Sequence, residues 1–333
     1  MMKKFLLLAI LFLCNACWPF YELGKDRDGH FLSEVVPLEE FNSEFDDYNS
    51  NLPSNKSGQT HLVFSSKRDK KQYLNLVYFP AQFAYDNRLK LEKSGKATNY
   101  DYHAEYQATD VLATRANGNF NVYGPKTLSF KYDVIAANDA KDFMLFYADD
   151  ADGNMEIKYL IKNNSQGPFK FDLLNSPQDD GYPSFSQQGD KIYFSSNRDG
   201  DFDIYELSIP RKENEYVTIE SLVHPKEFTL RKVEELSSPG DDKCPYFEND
   251  MMVFVSDRPG GKGGQDIYYA RYENGKWAAP ENAGDRINTP YNEYRPIIPA
   301  LSHFNYRLML FSSDRPGGKG GYDLYMTGLT EKW

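Results

Sequence analysis

The sequence predicts an all-β protein, a single β-propeller of five or six blades. Three observations carry this. The apolar runs are short and rich in β-branched and aromatic residues, a motif returns at blade-like spacing, and the N-terminal segment supplies what the last repeat lacks. Turn residues punctuate the runs and no long helical period appears, which marks strands. Periods of this size mark propellers or stacked arrays.

Three copies of the motif are plain. The first runs from Asn175-Ser176-Pro177-Gln178-Asp179-Asp180 through Ser196-Asn197-Arg198 to Asp203-Ile204-Tyr205. The second runs from Ser237-Ser238-Pro239-Gly240-Asp241-Asp242 through Ser256-Asp257-Arg258 to Asp266-Ile267-Tyr268. The third runs from Asn288-Thr289-Pro290-Tyr291-Asn292-Glu293 through Ser313-Asp314-Arg315 to Asp323-Leu324-Tyr325. A fourth opens the ring with Asn42-Ser43-Glu44-Phe45-Asp46-Asp47 and Ser66-Lys67-Arg68, but its tail has lost the Asp. A fifth, over 144–159, is degenerate: Ala148 fills the Ser position, Asp150 replaces the Arg and Glu156 replaces the Asp. The stretch from Ser through Arg to Asp reads as a hairpin, with Arg and Asp flanking the turn, close enough to pair and pin the register.

Recurrence decides how these residues are read. Arg68, Arg198, Arg258 and Arg315, the hairpin residues Asp203, Asp266 and Asp323, and the pairs Asp46-Asp47, Asp179-Asp180 and Asp241-Asp242 return once per unit. A catalytic pair is needed once, whereas a turn cap or a bond to the next blade is needed every time. The structural reading therefore stands first, with a bound cation as its competitor. The Gly-rich loops 259–264 and 316–321 lack the Gly-Lys-Ser/Thr ending of a phosphate loop and are followed by no helix, so they read as hairpin turns.

The ends of the chain bear on closure. Glu331-Lys332-Trp333 matches Asn274-Gly275-Lys276-Trp277 one repeat earlier, and the continuation missing there is found in Val36-Pro37-Leu38. The expectation is a ring over 35–333, closed by the N-terminal strand completing the last blade, which removes two sheet edges.

These motifs resemble the TolB-like β-propeller repeat, a WD-repeat-like unit of bacterial envelope proteins. The forms Asn-Ser-x-x-Asp-Asp and Ser-Asp-Arg-Pro-Gly-Gly-Lys-Gly-Gly-x-Asp are especially similar to those of Bacteroidetes lipoproteins and OmpA-linked proteins. The resemblance implies a propeller in the periplasm or at the cell surface, with a binding or scaffolding role. The peptidoglycan-binding domain of some OmpA-linked relatives is not expected here.

The N-terminus agrees with that setting. Met1-Met2-Lys3-Lys4 and the apolar run 5–13 form a signal peptide, too short for a permanent span. Ala16-Cys17 resembles a bacterial lipobox, so residues 1–16 are expected to be removed, Cys17 to carry palmitate and other acyl chains, and 17–34 to be a tether. The tether lacks the acidic cluster that resembles a surface-export signal, which favours the periplasmic face of the outer membrane over the cell surface. The net charge is −11, and loss of Lys3 and Lys4 with the leader leaves −13. That disfavours nucleic acid and anionic membrane surfaces as partners, so no nucleic-acid partner is expected. With Cys17 lipidated, Cys244 has no disulfide partner.

No catalytic motif, metal spacing or cofactor box emerges; His30, His61, His103, His224 and His303 are scattered. The segment 86–142 departs from the repeat. It is either a divergent blade, with residues 110–119 as its hairpin, or a binding insert presenting Tyr100, Tyr102, His103 and Tyr106. The expected function is a lipid-anchored, non-catalytic propeller, not an enzyme, that binds an outer-membrane or envelope protein complex. The alternatives are a glycan- or peptide-binding lipoprotein for nutrient uptake, or a propeller hydrolase with carboxylates at the channel mouth. What separates them is whether aromatic and acidic residues outside the repeat gather on the axis or on the rim.

Overall fold

The computed structural model describes residues 33–53, 59–68, 72–86, 91–97, 104–130, 142–186, 188–211, 217–301 and 307–329. The leader, Cys17 and most of the tether lie outside the described residues. Among those described, no helix is long and apolar enough to cross a membrane.

The chain forms five blades, each an antiparallel sheet that runs outward from a central axis. β1 (Val36–Pro37) comes first but belongs to the last blade. Blade 1 is β2 (Asp47–Asn51), β3 (Gln59–Ser66), β4 (Asn75–Asp86) and β5 (Leu91–Lys96). A helix, α1 (Ala104–Ala116), leads to blade 2: β6 (Val122–Phe130), β7 (Asp142–Asp149), β8 (Glu156–Ile161) and β9 (Phe169–Lys170). Blade 3 is β10 (Asp180–Phe185), β11 (Lys191–Ser196) and β12 (Asp203–Ser208), then the short helix α2 (Ile219–Val223) and β13 (Thr229–Lys232). Blade 4 is β14 (Asp242–Glu248), β15 (Met251–Ser256), β16 (Asp266–Glu273), β17 (Lys276–Trp277) and β18 (Glu281–Asn282). Blade 5 is β19 (Glu293–Ile297), β20 (Arg307–Ser313) and β21 (Asp323–Leu329), with β1 at its outer edge: Val36 faces Met326 and Pro37 faces Tyr325. The inner strands β2, β6, β10, β14 and β19 touch in turn, and β19 touches β2.

Burial follows from this arrangement. The second strand of a blade is sandwiched between neighbouring blades on both faces, so its sequence is a continuous apolar run rather than an alternation. β15 is buried throughout, and β7, β11 and β20 are buried at all but their first residue. The outermost strands are two to six residues long, which limits exposed edge.

A sixth blade is corrected to a helix. Residues 104–116, which overlap the hairpin expected over 110–119, form α1, whose face Ala108, Thr109, Leu112, Ala113 and Ala116 is buried. Good helix formers at i, i+4 and i+8 outweigh the turn signal of Asn117-Gly118. Tyr106 lies on this helix, half-buried against Tyr78 and His61 at ring distances of 5.6 and 6.2 Å. Tyr100, Tyr102 and His103 lie outside the described residues.

The recurrent residues form two sets of bonds. In the first, Arg68, Arg198, Arg258 and Arg315 pair with the inner-strand acids Asp47, Asp180, Asp242 and Glu293 at 2.8, 2.8, 2.6 and 2.9 Å. Each Nε also donates to the Ser two residues earlier, and each guanidinium lies 5.0–5.3 Å over the Phe two residues before that Ser. The acid's other contacts cap the turn before the strand, as in Ser176 Oγ donating to Asp180 at 2.8 Å. Burial pushes the carboxyls of Asp242 and Glu293 upward, against the pull of the arginines.

The expected Arg–Asp pairing across the hairpin is thereby corrected. The ladder sets Ser196 opposite Asp203, so Arg198 lies beyond it and folds back to the inner strand. The hairpin acids have other partners. Asp203 pairs with Lys232 at 2.5 Å, while Asp266 and Asp323 each accept two backbone N–H groups from their own Gly-rich turns. In those turns Gly263 and Gly320 approach the backbone of the next blade so closely that a Cβ would lie 1.8 and 2.1 Å from a carbonyl oxygen. They serve close approach rather than phosphate.

The second set ties blade to blade. Asp46, Asn121, Asp179, Asp241 and Asn292 each accept a backbone N–H from the preceding blade: from Tyr322, Leu74, Met155, Phe202 and Gln265, at 2.7–3.2 Å. Asn42, Asn117, Asn175 and Asn288 extend the seam, each bonding both the N–H and the C=O of one residue on the preceding blade.

Candidate functional site

Every inner strand carries the same irregularity. Two residues after the acid position, Asn49, Gly124, Tyr182, Cys244 and Arg295 have φ of 62, 51, 57, 59 and 48°, and the strand pairing shifts there in all five blades. A bulge of this kind breaks the two-residue alternation and re-aims side chains. Here it turns them toward the axis.

The result is a pocket of about 470 Å³ where the inner strands begin. Tyr48, Tyr123 and Tyr294 follow the acid position on β2, β6 and β19, Tyr182 sits at the bulge on β10, and Tyr322 precedes β21. Asp46, Asp150 and Asp179 add three carboxylates from blades 1, 2 and 3. The tyrosines pack on one another. Tyr48 stacks on Tyr322 with centroids 5.4 Å apart, and Tyr294 meets Tyr48 and Tyr182 at 6.2 and 6.0 Å. Tyr294 Oη donates to Tyr182 Oη at 3.1 Å. Burial raises the phenols of Tyr48, Tyr123, Tyr182 and Tyr294, and that of Tyr322 to about 12, so all five stay neutral donors.

The carboxylates are held in place. Asp46 accepts Tyr322 N–H at 3.2 Å and Lys67 Nζ at 3.0 Å. Asp150 accepts the backbone and side-chain amides of Asn121, both at 2.7 Å, and Tyr123 Oη at 3.2 Å. Asp179 accepts Met155 N–H at 2.7 Å through Oδ1. Among the described residues no group of three His, Cys, Asp or Glu is placed to hold a metal ion.

Asp46 and Asp179 thus combine a repeated bracing bond with a place on the pocket wall, whereas Asp241 does not line the pocket. Asp150 needs a correction. Strand register sets Asp149, not Ala148, in the Ser position, because Asp149 faces both Val122 and Glu156. Asp150 therefore matches Asn197, Asp257 and Asp314, which all accept the same backbone N–H, and Ala151 takes the place of the arginine. The blade 2 entry went unread in the sequence. Its signal was there: Asn117 and Asn121 have the spacing of Asn288 and Asn292.

No protein-family model and no curated protein matches the chain. Solved structures do. An endo-arabinase from Bacteroides thetaiotaomicron is 13% identical, with a TM-score of 0.50 over 90% of this chain and 98% of that one. The catalytic domain of a GH62 α-L-arabinofuranosidase from Coprinopsis cinerea is 11% identical, with a TM-score of 0.49 over 91% and 98%. A putative TolB from Agrobacterium tumefaciens is 13% identical, with a TM-score of 0.41 over 90% and 99%. At these identities the likeness is one of fold, and TolB propellers are among the neighbours. The expectation of a non-catalytic scaffold, not an enzyme, is corrected: the fold is shared with an endo-arabinase, and the tyrosines and acids gather in one pocket at the inner strands rather than on the rim.

Proposed function

We propose that the protein acts on a carbohydrate, as a propeller glycoside hydrolase whose site is the axial pocket. One observation carries the reading: three aspartates and five tyrosines from four blades converge on a single concavity of about 470 Å³. That volume suits a small ligand. Tyrosine faces pack against the apolar faces of a sugar ring while phenols and carboxylates bond its hydroxyls. Hydrolysis uses two carboxyl groups, one protonating the leaving oxygen and one acting as base or nucleophile. Asp179 is our candidate acid and the Lys67-paired Asp46 the candidate base, with Asp150 positioning the sugar.

The test is incubation of the purified protein with arabino- and xylo-oligosaccharides, arabinan first, with released sugars measured by chromatography. Turnover is expected, falling by about 10²–10⁴-fold in Asp179→Asn at unchanged thermal stability. Capture without cleavage is a second reading. It is favoured by the bracing bonds of Asp46 and Asp179, which tie these carboxylates to neighbouring blades. Calorimetric binding without released sugar selects that reading, and neither binding nor turnover overturns both.

We further propose that Cys17 anchors the protein by acyl chains to the outer membrane, facing the periplasm. The leader and its Ala16-Cys17 junction support this. Palmitate labelling that persists in Cys17→Ser would refute it. Co-purification from gently solubilised membranes tests for an envelope protein complex as partner.

A further inference from the structure

The five left-handed residues hold equivalent positions on the inner strands, one from each blade. One of them is Arg295, 0% exposed. Its Nη1 reaches Pro245 O at 3.3 Å, and its guanidinium lies 5.7 Å from the Tyr182 ring centre. Nε and Nη2 have no hydrogen-bond partner among the described residues. In the adjoining blade Asn49, also 0% exposed, holds the same position, and its Nδ2 and Oδ1 are likewise without partners among the described residues. Lys126 of β6 comes from a third blade. Its ammonium lies 4.4 Å from the Tyr246 ring centre and feels the charge of Arg295.

The charges do not balance. A guanidinium keeps its proton in proteins. The titratable groups that act most strongly on Arg295 are Cys244, Tyr182, Tyr246 and Tyr294, none of them a carboxylate. Burial pushes the Cys244 thiol up to about 11 and raises the phenols of Tyr182 and Tyr294, so these stay neutral. Burial also lowers Lys126 to about 8, with Glu248 opposing that shift and Arg295 adding to it. Arg295 is therefore buried without a counter-charge among the groups that act on it most strongly, while Lys126, only half-buried, has Glu248 acting as its counter-charge. A buried charge without a partner is strongly destabilising, and unpaired buried donors add to that.

We propose that Arg295, Asn49 and Lys126 hold a small inorganic monoanion, of the class of chloride, on the propeller axis. The single uncompensated charge of Arg295 calls for a monoanion, and unpartnered N–H donors from adjoining blades supply its bonds. This site is separate from the sugar pocket and stands whether or not the glycan reading does.

The test is thermal unfolding of the full chain in potassium chloride and in potassium gluconate at equal ionic strength. The wild type is expected to melt ~3 °C higher in chloride, with a saturable dependence. Asn49→Asp, which accepts the left-handed backbone as Asn does, supplies an internal counter-charge. It should melt higher than wild type in gluconate and lose the chloride dependence. Equal melting of the wild type in both salts, or an unchanged dependence in Asn49→Asp, overturns the proposal. A bromide-soaked crystal gives a check independent of the variant: an anomalous peak beside Arg295 and Asn49 supports the site, and its absence refutes it.

Discussion

Blades 2 and 3 stand side by side in the ring and solve the same packing problem differently. In blade 3, Arg198 is ion-paired with Asp180, whose side chain is 0% exposed. In blade 2 the acid position is Val122, 0% exposed, and the arginine position is Ala151. Both partners are replaced together, so no charge is left orphaned. The buried acids of blade 2 are Asp149, in the Ser position, which Lys158 holds at 2.8 Å, and Glu156, which pairs with Lys170. The seam to the preceding blade survives unchanged through Asn117 and Asn121. The ring therefore depends on each inner-strand acid and hairpin arginine being paired or replaced together, and on the inter-blade bonds. It does not require one particular ion pair. Breaking a buried pair by removing one partner is far costlier than replacing both.

The largest expected effect concerns the edge that neither blade shares. Removing residues 33–38 strips β1 from β21 and exposes the outer edge of blade 5. Loss of cooperative unfolding by circular dichroism is expected, while an unchanged melting temperature would show that the N-terminal strand is dispensable. A longer deletion through residue 50 would also remove most of β2, so the short one is the cleaner test. Next comes the pair itself. Arg198→Ala should destabilise by about 3–5 kcal/mol in denaturant titration, since Asp180 is left buried and charged. The double variant Arg198→Ala with Asp180→Val copies blade 2 and should recover most of that loss. If the double variant is as unstable as the single, the two blades are not interchangeable solutions. The smallest effect is at the seam. Blade 4 has Ser237 where four blades have Asn, and Ser237 Oγ instead bonds Val233 O. Ser237→Asn should add about 0.5–1.5 kcal/mol by bonding the backbone of Ile204, as Asn175 does that of Ile157. No gain would mean that the blade 3–4 seam has a different geometry.

Much of this was legible from residue patterns. Four blade entries stood out, because Asn-x-x-x-Asp or its variants must repeat wherever one blade meets the next. The arginine partner was misread because sequence proximity favoured Asp203, whereas the ladder places Arg198 beyond its end and against Asp180. Blade 2 was aligned one residue out because its Ser, Arg and acid are all replaced, leaving no anchor. The pocket was not legible at all. Tyr48, Tyr123, Tyr182 and Tyr294 are scattered over some 250 residues, and alternation alone cannot say which of them face the axis.

The sequence by itself determined the all-β propeller, the strands and the recurrent polar residues, since local propensity and a repeated motif act within each unit. Only the tertiary structure decided which residues converge. Five left-handed bulges shift the parity of the inner strands, and ring closure brings distant positions to one axis. That places Asp46, Asp150 and Asp179 around one pocket and Arg295 against the ring of Tyr182 in its wall, because a side chain's direction depends on backbone conformation that residue type alone does not dictate.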